Sequence, residues 1–206
     1  MTAPTLIDGA LDADIADWLE ARLSQALAGR QGSVPIALPG GSTPFPIIGL
    51  LRGRGIDWSR VVAYPTDDRL VAESHEASNT GKLRALLEPL GAEVVALEEG
   101  QELPEFALVW LGLGADGHVA SLFPNTDPRP DDPLATRRLT PDPLPPEAPF
   151  DRITMTIPAL LHSQEILLVM RGSQKRAVLD DAIAGRSDLP VARLLAASHQ
   201  PVTCFT

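Results

Sequence analysis

The sequence predicts an α/β fold in which a mostly parallel open sheet carries helices on both faces, as in Rossmann-like proteins. Two observations point to this fold. Short apolar runs that fit buried strands alternate along the chain with segments of helical periodicity. One of these runs, residues 106–113, is apolar on both faces, which is typical of a central strand in a parallel sheet.

The first 90 residues alternate between helix and strand patterns. Apolar side chains recur at helical spacing over residues 8–28, and Gly29 is a suitable stop for that helix. Four further elements are predicted here: strands at residues 34–38 and 61–64, and helices at residues 45–51 and 79–90.

The second half contains a proline-rich stretch between predicted strands. Strands are predicted at residues 152–157 and 165–170, followed by a helix that ends at Ile183. Nine of the 26 residues from 124 to 149 are proline, which cannot donate a backbone hydrogen bond. We therefore expect a single α/β domain over residues 1–206, with an irregular excursion at about 124–150.

Composition excludes several classes of function. The 27 acidic and 17 basic residues give a formal charge of −10, which argues against nucleic acid as a partner. No segment approaches the roughly 20 apolar residues of a membrane helix, and no secretory signal is visible. Cys204 is the single cysteine, and no His, Cys and Asp cluster has metal-ligand spacing. We expect a cytoplasmic protein that binds a small molecule without metal or cofactor. Its oligomeric state stays open.

Four of the apolar runs end in polar segments that suit a binding site. These segments are residues 40–43, 67–69, 116–118 and 171–175. In an open parallel sheet they would lie together at the carboxyl edge, where ligands bind. One such segment is ordinary loop composition, but four of them favour a site.

The segment from Gly40 to Thr43 has the composition of an anion-binding loop. Gly40 and Gly41 would let the backbone approach an anion closely, and Ser42 and Thr43 add hydroxyl donors. A tight turn with a Ser or Thr helix cap explains the same residues without a ligand. No Gly-Lys-Ser/Thr follows, so the segment is not a Walker motif. Lys175 is a second candidate anion ligand, although a single lysine is more commonly a solvated surface residue.

The segment from Asp116 to His118 carries the clearest acid–base chemistry. Histidine titrates near neutrality, and a nearby carboxylate can fix its tautomer. An Asp-Gly turn with a capping histidine is the alternative. Residues 112–117 also match G-x-G-x-x-G, but no long helix or suitably placed acid follows, so we expect no dinucleotide site. Asp67 and Arg69 could supply a carboxylate and a guanidinium, or form a solvated helix start.

Four stretches of the sequence carry distinctive motifs: residues 38–44, residues 67–79, residues 112–124, and residues 152–161 with 172–175. In this order they resemble the phosphate loop, the D-E-R-x-V…H…S-N segment, the signature, and the late strand with the lysine turn of the 6-phosphogluconolactonases, within the glucosamine-6-phosphate isomerase-like family. The resemblance covers about residues 34–195. The signature favours the lactonases over the deaminases, which have Asn-Glu where this chain has Leu122-Phe123. Asp68 departs from the usual Glu of the family, and Ala72 from a frequent Pro.

The resemblance implies hydrolysis of the lactone of 6-phosphogluconate, a reaction of the oxidative pentose phosphate pathway. It implies that His118 is the general base toward water and that Asp116 orients it. The substrate-binding residues implied are Gly40, Gly41, Ser42, Thr43, Asp67, Arg69, Arg152 and Lys175. Two other functions stay open: a glucosamine-6-phosphate deaminase, which would release ammonia, and a non-catalytic sugar-phosphate sensor.

Overall fold

The fold was obtained as a computed structural model and is described for residues 3–144 and 149–206. The strands among these residues are β1 (Thr5–Ile7), β2 (Val34–Leu38), β3 (Val61–Pro65), β4 (Asp67–Arg69), β5 (Glu93–Val94), β6 (Leu108–Gly112), β7 (Thr136–Leu139), β8 (Arg152–Met155), β9 (Ile166–Val169) and β10 (Val202–Phe205). The α-helices in the same described ranges are α1 (Asp12–Gly29), α2 (Pro44–Gly49), α3 (Asn79–Leu87), α4 (Ile157–Leu161), α5 (Ser173–Ile183) and α6 (Pro190–Ala197).

Seven strands form one sheet in the order β1-β10-β9-β6-β2-β3-β5, and every neighbouring pair is parallel. The predicted fold class is therefore confirmed. Strands β2 and β9 are buried along their whole length, because both faces of the sheet are covered. One apolar core lies between the sheet and helices α1, α2 and α3, and a second lies against α4, α5 and α6.

Side-chain alternation divides the strand residues between these two cores. In β10, Cys204 belongs to the second core and Phe205 to the first. Burial raises the pKa of the Cys204 thiol to about 12. Cys204 is therefore a packing residue and not a nucleophile. Among the described residues, no helix has the length and hydropathy needed to span a membrane.

A second, antiparallel sheet of three strands, in the order β4-β8-β7, corrects three expectations. Residues 67–69, expected as a polar segment after a strand or as a helix start, form strand β4. The strand predicted at 152–157 ends at Met155 and belongs to this small sheet, after which α4 begins. The excursion at 124–150 contains strand β7 and a 3-10 turn at Pro124–Thr126.

Strand β7 can form within the proline-rich stretch for a simple reason. The four residues of β7 contain no proline, so each can pair with β8, and the prolines flank the strand without interrupting it. Residues 145–148, which the prediction also placed in this excursion, lie outside the described residues.

Strand order brings the predicted polar segments together. Strands β9, β6, β2 and β3 are consecutive neighbours in the large sheet, and their carboxyl ends lead into these segments. The chain continues from β2 to β3 on one side, whereas β6 lies on the other side of β2. Such a reversal opens a crevice at the carboxyl edge of a parallel sheet.

Candidate active site

A cavity of about 970 Å³ lies at this carboxyl edge. All ten residues singled out from the sequence line it. They are Gly40, Gly41, Ser42, Thr43, Asp67, Arg69, Asp116, His118, Arg152 and Lys175. Five separate segments of the chain therefore contribute to one site.

Asp116 and His118 form a hydrogen-bonded pair in this cavity. His118 Nδ1 lies 2.6 Å from Asp116 Oδ1, and this hydrogen bond holds the pKa of the Asp116 carboxyl below its usual value. An ionised carboxylate can only accept, so the proton of the neutral imidazole sits on Nδ1 and Nε2 is left as the basic nitrogen. The imidazole also packs against Phe123, with ring centroids 4.8 Å apart. The pair thus has the arrangement of a general base with its orienting carboxylate.

The loop after β6 holds this pair in place. The amide of Gly114 donates to the carbonyl oxygen of His118 at 2.9 Å. The amide of Gly117 donates to the carbonyl oxygen of Gly114 at 3.0 Å. Gly117 has a φ of +83°, which favours glycine, and the Leu189 side chain packs directly over it. The short closed loop therefore fixes Asp116 and His118 relative to β6.

Gly114 offers a way to disturb the pair without removing either member. A Cβ at position 114 would overlap the ring of His118 and lie 2.6 Å from Asp116 Oδ1. We expect Gly114→Ala to lower kcat/KM by about 10²-fold, because misplacing a catalytic group by about 1 Å has that effect. Steady-state kinetics with Gly29→Ala as control checks this, since nothing lies near a Cβ at position 29. Wild-type kinetics for Gly114→Ala would show that the geometry of the pair is unimportant.

The loop from Gly40 to Thr43 connects β2 to α2 and presents free backbone donors. The amides of Gly41, Ser42 and Thr43 donate to no acceptor among residues 3–144 and 149–206. Gly41 has a φ of +98°, which a side chain would strain. Lys175, the third residue of α5, lines the same cavity and forms no ion pair with any described residue. These groups suit an anion such as a phosphate.

Two arginines add to the positive charge of the cavity. Arg69 of β4 and Arg152 of β8 are directly opposite each other across the antiparallel pair. Arg152 is buried, and this burial together with the neighbouring Arg69 lowers the pKa of its guanidinium. Because the two guanidinium groups carry like charges, they repel each other, and an anionic ligand that contacts both would be stabilised by both.

Strand alternation separates the two aspartates of β4. Asp67 and Arg69 line the cavity, whereas Asp68 faces the opposite side and contacts the start of α3. The Asp68 carboxylate accepts five hydrogen bonds, from the hydroxyls of Ser78 and Thr80 and from the backbone amides of Arg69, Asn79 and Thr80. Asp68 thus anchors the first turn of α3 to β4.

Removal of this anchor is expected to cost stability. Asp68→Ala leaves several buried donors unpaired, and we expect it to lower the free energy of unfolding by about 3 kcal/mol or more. Urea unfolding measures this change. Asp131, which is exposed, serves as the control, and Asp131→Ala is expected to change the free energy by less than about 0.5 kcal/mol. Equal stability of the two variants would contradict the anchoring role.

Four further polar residues that were not predicted as site residues line the cavity, Asn79, Ser121, Asn125 and Arg171, and the contacts of the first two concern predicted residues. The Ser121 hydroxyl donates to Asp67 Oδ2 at 2.5 Å, and the Asn79 amide oxygen accepts from Arg69 Nη1 at 2.9 Å. Both lie in motifs quoted above, but their contacts depend on residues distant in sequence. Nothing in their local pattern could therefore reveal these contacts.

The arrangement of the described residues is also informative about two other kinds of site, a metal site and a dinucleotide site. Among residues 3–144 and 149–206, no group of three or more His, Cys, Asp or Glu is arranged to hold a metal ion. The G-x-G-x-x-G match at 112–117 is followed by a β-bridge between Val119 and Leu122, where a dinucleotide site needs a helix.

Comparison with known proteins identifies the family of this chain. The family model for glucosamine-6-phosphate isomerases and 6-phosphogluconolactonases matches residues 8–99 and 89–204. The chain belongs to this family. Among family relatives, the 6-phosphogluconolactonase of Pseudomonas aeruginosa is 35% identical over 89% of this chain and 86% of its own length. That of Neisseria meningitidis serogroup A is 32% identical over 92% of this chain and 90% of its own length.

Solved structures of the family share the fold. The 6-phosphogluconolactonase of Shewanella baltica superposes with a TM-score of 0.80 and is 26% identical, covering 98% of this chain and 97% of its own. A putative 6-phosphogluconolactonase of Neisseria gonorrhoeae gives a TM-score of 0.79 at 27% identity, with the same coverage. The relatives and structural neighbours named here are thus lactonases by name.

Proposed function

We propose that this protein hydrolyses 6-phospho-D-glucono-1,5-lactone to 6-phosphogluconate, a reaction of the oxidative pentose phosphate pathway. One observation carries the proposal. The hydrogen-bonded pair of Asp116 and His118 shares a cavity with an anion-binding loop and with Lys175. A base beside an anion anchor is what hydrolysis of a phosphorylated lactone requires, and the names of the relatives agree with this reaction.

His118 would act first as a base and then as an acid. Its Nε2 removes a proton from water while the water oxygen bonds to the lactone carbonyl carbon. When the tetrahedral intermediate collapses, the bond from that carbon to the ring oxygen breaks, and Nε2 returns the proton to the ring oxygen. The new carboxylic acid loses its proton to solvent. Such acid–base assistance typically contributes about 10²–10⁴-fold, and Asp116 keeps the imidazole in the tautomer that both steps need.

Phosphate binding would place the lactone beside this base. The free amides of Gly41, Ser42 and Thr43, together with Gly40 at the start of the loop, suit the phosphate oxygens, with Lys175 supplying charge. Binding energy from a group remote from the reaction can then be used to orient the carbonyl.

The basic and acidic residues of the small sheet would hold the rest of the substrate. Arg69 and Arg152 face the cavity and suit anionic or hydroxyl oxygens of the substrate. Asp67, fixed by the Ser121 hydroxyl, can accept from sugar hydroxyls with its remaining lone pairs.

Two assays in parallel test the proposal. Freshly prepared 6-phosphogluconolactone is followed by proton release, against its spontaneous hydrolysis in the same buffer. Glucosamine-6-phosphate is followed by ammonia release. We expect acid formation well above the spontaneous rate and no ammonia. Release of ammonia would make the protein a deaminase, and binding of the sugar phosphate without turnover of either substrate would make it a sensor.

A further inference from the structure

We propose that Asn79 is a positioning residue that holds the Arg69 guanidinium at the cavity, and that position 40 is glycine because the Asn79 amide occupies the space of a Cβ. The proposal rests on the function proposed above for its kinetic consequence, since Arg69 is one of the substrate-binding residues there. Its geometric part concerns the protein alone.

Asn79 fixes one end of the Arg69 guanidinium. Arg69 Nη1 donates to the Asn79 Oδ1 oxygen and to the Ala77 carbonyl oxygen, each at 2.9 Å. These two acceptors use both protons of Nη1. Arg69 Nε is buried without an acceptor among the described residues, and Nη2 donates to none of them. The guanidinium is thus held through Nη1 alone, and Nη2 is left for a ligand.

The two hydrogen bonds from Arg69 Nη1 counteract the charge repulsion between Arg69 and Arg152. Arg152 lies directly opposite Arg69 in the β4–β8 pair and carries the same charge. Without the two oxygens on Nη1, the Arg69 side chain would be free to move away from Arg152 toward solvent. The Asn79 oxygen therefore favours a placement that charge repulsion alone would disfavour.

The Asn79 side chain is itself fixed on its other side. Its Nδ2 donates to the Asp67 carbonyl oxygen at 2.8 Å, and its backbone amide donates to Asp68 Oδ1 at 2.6 Å. Asn79 is 1% exposed, so no water competes for these contacts. The two ends of the amide have different partners, an Arg donor and a carbonyl acceptor. The orientation of the amide is therefore determined.

Gly40 makes room for this amide. A Cβ built at position 40 would overlap the Oδ1, Cγ and Nδ2 atoms of Asn79. Gly40 has no left-handed φ that would otherwise demand glycine, unlike its neighbour Gly41. The Asn79 side chain thereby interlocks the loop after β2, strand β4 and the start of α3. The glycine loop and Arg69 are coupled through one amide.

A double-mutant cycle on kcat/KM tests the positioning role. We expect Asn79→Ala to lower kcat/KM about 10- to 100-fold, which is the range for a misplaced binding group. In the Arg69→Ala background, Asn79→Ala is expected to have less than about a twofold further effect, because the residue it positions is gone. Gln31→Ala, which changes an exposed amide side chain outside the cavity, is the control and is expected to stay within about threefold of wild type. An equal loss from Asn79→Ala in both backgrounds would overturn the proposal.

A second cycle, on thermal unfolding, tests the geometry independently of the reaction. Gly40→Ala is expected to lower Tm by about 5 °C or more in the wild-type background, because its Cβ meets the Asn79 amide. In the Asn79→Ala background the same change is expected to shift Tm by less than about 2 °C, since the space is vacant. Equal shifts in both backgrounds would overturn the interlock. Absence of lactonase activity in the wild type would refute the proposed function and leave this cycle to decide the interlock.

Discussion

Replacing His118 with alanine is expected to lower kcat/KM for 6-phosphogluconolactone by about 10²–10⁴-fold, the contribution of positioned acid–base catalysis. The Nε2 nitrogen is the proton acceptor of the Asp116–His118 pair, and alanine removes it. The His118 side chain is 34% exposed, so its loss leaves no buried charge and the variant is expected to fold. Initial rates over spontaneous hydrolysis measure the effect.

Two further variants make this prediction specific. His199 is exposed and lies outside the cavity, so His199→Ala is expected to keep the wild-type rate. Asp116→Ala is expected to lower the rate less than His118→Ala, because it removes the orienting carboxylate and leaves the base. In the His118→Ala background it is expected to have almost no further effect, since residues that act as a unit are not additive. A His118→Ala enzyme with wild-type activity would show that another group is the base.

Lys175→Ala is expected to produce the second large loss, and the loss should depend on the substrate's phosphate. A hydrogen bond to a charged group contributes about 1.5–3 kcal/mol, which corresponds to roughly 10- to 150-fold in kcat/KM. The prediction applies to 6-phosphogluconolactone. For the unphosphorylated D-glucono-1,5-lactone, which has nothing for Lys175 to bind, the same variant is expected to differ less than about threefold from wild type.

The chain offers a matched control for this substitution. It has two lysines, and Lys82 is exposed on α3 outside the cavity. Lys82→Ala is expected to leave both activities unchanged, which separates a general change of net charge from a local contact. A loss of the same size on both lactones would show that Lys175 does not act through the phosphate.

The central strands of the large sheet could be predicted because each is a continuous apolar run that is visible in the sequence alone. Strand β2 was predicted with the bounds that the structure has, and β6 and β9 lie within the predicted runs. Strands buried on both faces are continuously apolar, so a short window of sequence is enough. The edge strands β1 and β5 were missed because three and two residues are too few to show a pattern.

The small antiparallel sheet could not be predicted, and it matters for the site. Nothing in the sequence of residues 67–69 distinguishes a turn from a strand, because all three are charged. Pairing with β8 makes the segment a strand, and alternation then sends Asp67 and Arg69 to the cavity and Asp68 to α3. The same pairing sets Arg69 opposite Arg152. These placements come from tertiary contacts, which local propensity does not contain.

The residues that line the cavity were found more completely than their contacts. The polar segments were visible because each follows an apolar run, and parallel strands bring such segments to one edge. The roles of Asn79 and Ser121 depend on contacts 10 and 54 residues away along the chain. Such contacts are set by packing of the whole domain, and no spacing rule indicates them.

The net charge of −10 and the basic cavity are compatible because they act over different distances. Arg69, Arg152 and Lys175 line the cavity, where a small phosphosugar would contact them directly. Surface charges farther than about 8–10 Å from the ligand are largely screened at physiological salt. An acidic protein can therefore bind a small anion.

The rate of acid formation from freshly made 6-phosphogluconolactone, measured with wild type, with His118→Ala and without enzyme, tests the central claim most directly. We expect wild type to exceed the spontaneous rate by orders of magnitude, and His118→Ala to lose about 10²–10⁴-fold of that activity. A wild-type rate equal to the spontaneous rate, or a His118→Ala rate equal to wild type, would contradict a lactonase that uses His118 as its base.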